Sequence, residues 1–75
     1  MESYKNLNGD SGVVGFEKGS DYIRVKFKDN SVYLYTYTSA GASNIEEMKR
    51  LAVAGRGLNS YINRYARKLY AKKEQ

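Results

Sequence analysis

Between Tyr22 and Tyr37 the chain alternates without interruption through two successive runs, a pattern that few folds accommodate. Ile23, Val25 and Phe27 alternate with Tyr22, Arg24, Lys26 and Lys28, and Tyr33, Tyr35 and Tyr37 alternate with Val32, Leu34 and Thr36. A period of two on either side of Lys28-Asp29-Asn30-Ser31 predicts a β-hairpin. The length of its loop decides which face the tyrosines occupy. A three-residue loop, Lys28 to Asn30, sets Val25 opposite Tyr33 and Ile23 opposite Tyr35, with Asn30 in the left-handed position that Asn tolerates. A two-residue Asp29-Asn30 turn instead sets Lys26 opposite Tyr33 and Arg24 opposite Tyr35, and makes an exposed aromatic and basic platform. The three-residue loop is preferred, because a small core needs the rings and a tyrosine can hold its hydroxyl at a wet rim.

That need follows from size. A chain of 75 residues is one domain and buries only about 60% of its unfolded surface. It has no cysteine, so no disulfide can staple it, and no histidine, which removes the usual proton shuttle and the commonest metal ligand. No cofactor or metal is expected. No apolar run approaches the ~20 residues of a membrane span, and Met1-Glu2-Ser3-Tyr4 lacks the order of a signal peptide. A cytoplasmic protein is the simplest expectation.

Residues 1 to 12, rich in Ser, Asn, Gly and Asp, read as a flexible lead-in with Tyr4 and Leu7 as candidates to dock. Val13-Val14-Gly15-Phe16 predicts a short strand, and Glu17 to Asp21 turns into the hairpin. Beyond Thr38 to Ala42, Ser43 stands three residues before Glu46 in a capping-box pattern, so a helix is expected to begin there, with Ile45, Met48, Leu51 and Ala52 inward and Gly55 as its stop. A second helix, from Leu58 or Asn59 to Ala71, carries Leu58, Tyr61, Ile62, Tyr65 and Leu69 on one stripe. The expected fold is α+β, a three-stranded antiparallel meander followed by two helices packed on one face. Its expected bounds are a lead-in over 1–10, a single domain over 11–70 and a frayed tail over 71–75.

Charge is unevenly placed. Residues 1–43 carry five basic and five acidic groups, whereas 44–75 carry eight and three, so the net charge of +5 lies in the second half. Such an asymmetry suits a polyanionic partner. The candidate nucleic-acid-binding residues are Arg24 and Lys26 on the sheet, Arg56 between the helices, and Arg64, Arg67 and Lys68 on the second helix, with Tyr33 and Tyr35 as stacking or structural tyrosines.

The order of these elements resembles the KTSC domain, a short bacterial domain found alone and at the C-terminus of some lysyl-tRNA synthetases. The likeness covers most of residues 11 to 65: an opening strand like Ser11 to Phe16, apolar alternation like Ile23, Val25 and Phe27, a tyrosine pair like Tyr33-Leu34-Tyr35, and a late segment like Ala52, Gly55, Leu58, Asn59 and Ile62. Thr38-Ser39 stands where that family places Val-Pro, and Asn63 where it commonly places Arg. The resemblance implies an accessory RNA-binding role.

The first expectation is therefore a small RNA-binding module, and the alternative is a protein-interaction or homodimerisation module that uses Val32 and Leu34 on the open sheet face. No clustered set of acid, base and nucleophile supports an enzyme, and none is expected.

Overall fold

The structure, a computed structural model, describes residues 1–7, 9 and 12–75. Strands β1 (Glu2–Ser3), β2 (Val13–Lys18), β3 (Tyr22–Phe27) and β4 (Val32–Thr36) precede helices α1 (Tyr37–Ala40), α2 (Ala42–Ala54) and α3 (Leu58–Tyr61). Helix α3 runs on into a π-helical turn (Ile62–Ala66), and β5 (Lys72–Lys73) closes the chain. Among the described residues the sheet is antiparallel and five-stranded, in the order β1-β2-β3-β4-β5. The α+β layout holds, but the expected three-stranded meander is the centre of a wider sheet.

The hairpin takes the three-residue loop. Val25 pairs with Tyr33 and Ile23 with Tyr35. Phe27 N–H donates to the Ser31 carbonyl at 2.9 Å, Asn30 N–H donates to the Phe27 carbonyl at 2.9 Å, and Asn30 stands at φ 70°. The side chain of Asp29 fixes the exit, accepting from the Ser31 N–H at 3.0 Å and the Ser31 hydroxyl at 2.6 Å. With the register so pinned, Ile23, Val25 and Tyr35 point to one side of the sheet, and Ile45, Met48, Ala52, Leu58, Ile62 and Ala66 cover them. Each large aliphatic side chain so removed from water contributes about 1.5–3 kcal/mol relative to leaving it exposed.

The helices depart from expectation at three points. The capping box that starts the helical half is Thr36 with Ser39, not Ser43 with Glu46: Ser39 N–H donates to Thr36 Oγ1 and Thr36 N–H donates to Ser39 Oγ, both at 3.0 Å. Ser43 lies inside α2, whose N-cap is Gly41, and Glu46 instead accepts from the Tyr37 hydroxyl at 2.6 Å and Lys49 Nζ at 2.9 Å. The second helix ends at Ala66 rather than Ala71. Its widened last turn keeps Leu58, Ile62 and Ala66 in line, so Tyr65 is 56% exposed where the α-helical stripe put it in the core.

Gly55 does stop α2, as expected, in the left-handed conformation at φ 80°. Its carbonyl also accepts from Leu7 N–H at 2.7 Å, and a Cβ on it would stand 2.7 Å from that of Lys5.

Both ends of the chain are ordered onto the sheet. In the lead-in, Glu2 and Ser3 pair with Phe16 and Gly15, and Tyr4 is buried with its hydroxyl oxygen accepting from Leu58 N–H at 3.3 Å. Leu7 docks by its backbone alone, its side chain remaining 61% exposed. Ser11, where the KTSC-like opening strand and the expected domain begin, lies outside the described residues. The tail does not fray: Ala71 N–H donates to the Leu34 carbonyl and Glu74 N–H to the Val32 carbonyl, each at 2.7 Å, and Val32 N–H donates to Gln75 at 3.0 Å. An edge strand leaves a row of unpaired donors and acceptors, and these short segments satisfy them.

Candidate nucleic-acid interface

Where the hairpin loop meets the π turn, the sheet and the helices diverge and leave a cleft of about 430 Å³. Phe27, Tyr33 and Tyr35 come to it from the hairpin, Ile62 and Asn63 from the π turn, and Arg67 and Tyr70 from the segment that leads to β5. Lys28, Asp29 and Ser31 form the side contributed by the loop. π turns recur at functional sites, and this one turns Asn63 to the cleft while Ile62 stays in the core.

The rings meet edge to face. Phe27 and Tyr33 lie 5.7 Å apart at 85°, Tyr33 and Tyr70 4.8 Å at 69°, and Tyr35 and Tyr70 6.4 Å at 89°. Such pairs contribute about 0.5–1.5 kcal/mol beyond burial. Tyr35 is only 2% exposed, yet its hydroxyl has no hydrogen-bond partner among the described residues. No fully enclosed polar side-chain atom among them lacks a partner, so this hydroxyl opens to the cleft. Burial, reinforced by the neighbouring Tyr33 and Tyr70, pushes the Tyr35 hydroxyl up to about 12. Asp29, on the loop side, is held below the usual carboxylate range by the Ser31 hydroxyl and then by the Ser31 N–H.

The candidate residues do not form one surface. Tyr33, Tyr35 and Arg67 share the cleft. Arg64 lines a separate groove of about 290 Å³ with Tyr61 and Tyr65, whose rings lie 4.9 Å apart. Lys68 is exposed just beyond the π turn, and Arg56 is exposed between Gly55 and Gly57. Arg24 and Lys26 lie half-buried on the far face of the sheet. There Arg24 donates from Nη1 to Glu17 at 2.6 Å and from Nε to Glu74 at 2.7 Å, with its guanidinium 4.9 Å from the Tyr22 ring centroid. Its charge is already matched.

Ion pairing sorts the remaining cations. The three carboxylates of the second half are taken, Glu46 by Lys49, Glu47 by Arg50 and Glu74 by Arg24. Arg56, Arg64, Arg67, Lys68, Lys72 and Lys73 make no ion pair among the described residues, and Lys73 Nζ stands 5.8 Å from the Tyr33 ring centroid. The far face offers less than expected to a second protein as well, since Val32 is only 8% exposed and Leu34 is half-buried. Glu74 and Gln75, just after β5, bond the Val32 backbone, and Met1, Glu2 and Ser3 line a groove beside it.

Sequence reasoning missed Tyr70, Lys28 and Asn63 as parts of the site. The first falls inside the helix expected to run to Ala71, which in the structure stops at Ala66, and the second sits in a loop whose direction only the register reveals. Among the described residues no helix is long and apolar enough to cross a membrane, and no cluster of acidic residues is arranged to hold a metal. Comparison with protein-family models, with curated proteins and with solved structures gives no significant match.

Proposed function

We propose that the chain is a small cytoplasmic nucleic-acid-binding module, with RNA as its ligand and no catalytic step of its own. The observation that carries this reading is the meeting of an aromatic cleft with cations that no carboxylate pairs with among the described residues. Phosphate contacts by Arg67, Lys68 and Arg64 supply sequence-independent affinity, and stacking on exposed rings adds about 1–3 kcal/mol per base. The binding face is the helical side of the sheet near Arg67, not the far face of Arg24 and Lys26. The resemblance of residues 11 to 65 to the KTSC domain agrees with an RNA ligand. The homodimer alternative keeps only Leu34 of its apolar centre, because Val32 is covered by the chain itself.

Titration with a fluorescently labelled single-stranded RNA over a range of salt concentrations tests the reading. Replacing Arg64, Arg67 and Lys68 together by Gln is expected to lower the slope of log affinity against log salt by about 2, from about 0.7 per phosphate neutralised on a single strand. An unchanged slope with the fold intact refutes it.

A further inference from the structure

We propose that the cleft between the hairpin loop and the π turn takes one unstacked nucleobase of a single strand and reads its edge, with Tyr35 and Asn63 as the reading groups. This refinement rests on the nucleic-acid reading above.

Shape argues first. The site is a wide-mouthed cleft, and its volume of about 430 Å³ lies in the range of about 300–1,000 Å³ typical of small-ligand pockets. A cleft, unlike a protruding helix or β-ribbon, does not enter the groove of a duplex. It admits a base that has left its stack, which is how single-stranded loops and ends are recognised.

The walls match such a base. Tyr70 meets Tyr33 and Tyr35 edge to face, which covers one ring face in each pair, and at 41% exposure it leaves part of its own ring open to a base. Arg67 and Lys28, unpaired among the described residues, stand where the sugar-phosphate chain would leave the cleft.

The hydroxyl of Tyr35 is the most telling feature. It belongs to a ring that is almost wholly buried, yet it opens to the cleft with no hydrogen-bond partner among the described residues, so its hydrogen bonds are made with whatever enters the cleft. A base edge supplies them. A tyrosine hydroxyl keeps its proton at neutral pH, so this oxygen can both donate and accept. Asn63, exposed on the π turn, adds an amide with both capacities. Together they face a ligand whose edge carries donors and acceptors in an order that differs between bases.

The experiment compares six-residue strands of uridine, of adenosine and of abasic ribose phosphate, together with a duplex of equal length, on the wild type, Tyr35→Phe and Asn63→Ala. The base-bearing single strands are expected to bind at least about tenfold more tightly than the abasic strand and the duplex. Tyr35→Phe, which keeps the ring, is expected to lose about two- to tenfold on the preferred base, to narrow the difference between uridine and adenosine, and to leave abasic binding unchanged. Asn63→Ala, a surface change that spares the core, is expected to narrow that difference in the same way. Equal affinity for base-bearing and abasic strands, or a base preference untouched by both substitutions, overturns the inference and leaves the RNA reading standing. Failure of every strand to bind at low salt overturns both.

Discussion

Arg24 and Arg67 carry the same guanidinium on opposite sides of one small sheet, and their neighbours give them different work. On the far face, Arg24 is clamped between Glu17 and Glu74 over the ring of Tyr22, and the hydrogen bond it donates to Glu74, with that to Glu17, raises its affinity for its proton still further. On the helical face, Arg67 lies exposed beside four aromatic rings with no carboxylate paired to it among the described residues. A count of basic residues treats the two alike. What separates them is whether the fold has already supplied a counter-ion: a matched cation ties segments together, and an unmatched one remains available to a ligand.

The largest effect expected to separate the faces is on binding. Arg67→Glu should weaken single-stranded RNA by about tenfold or more at low salt, whereas Arg24→Gln should change affinity by less than about twofold and lower the melting temperature instead. The reverse ranking, read by fluorescence anisotropy and thermal melting, would break the contrast.

A second, smaller effect sharpens it through alkali. An unfolded tyrosine ionises near 10 and Tyr35 in the fold at about 12, so the stability its neutral form contributes is complete below pH about 10 and is lost as pH rises toward about 12. Tyr35→Phe should flatten that alkaline decline, as followed by circular dichroism and phenolate absorbance. If the wild type and the variant decline in parallel, the hydroxyl is not buried as described.

The smallest effect belongs to the far face in acid. The Tyr22 hydroxyl, and after it Arg24, hold the Glu17 carboxyl below its ordinary value of 4.5, so its contribution is present above that pH and is lost as pH falls through the lowered value. Being exposed and screened, the pair contributes little. Glu17→Gln should soften the acid limb of a stability profile slightly and leave RNA affinity unchanged. A loss of affinity in this variant would mean that the two faces are coupled.

The hairpin was legible because alternation and loop chemistry agree: Asn30 takes the one left-handed position that a three-residue loop requires, and that choice fixes the face of Tyr33 and Tyr35. Gly55 was legible for the same reason. Strands β1 and β5 were not, because two residues cannot display a period, and what holds them is backbone pairing to an edge that any side chains permit. The helix start was misread because Thr36 with Ser39 and Ser43 with Glu46 have the same spacing. The chain turns at the first of them as β4 ends, where Tyr37 N–H can reach the Asp21 carbonyl at 3.0 Å. The cleft was half legible. Tyr33, Tyr35 and Arg67 were named, but the π turn that shifts Tyr65 outward and presents Asn63 has no signature in an apolar pattern counted at 3.6 residues.

Gly55 carries a wider consequence. At that one position the hinge between two helices and the amino-terminal arm are fastened by a single clasp with room for a hydrogen atom and nothing larger. A methyl group there would spring both sides of it at once, so a change made more than fifty residues from Glu2 in sequence would show up as faster amide exchange along the outermost strand.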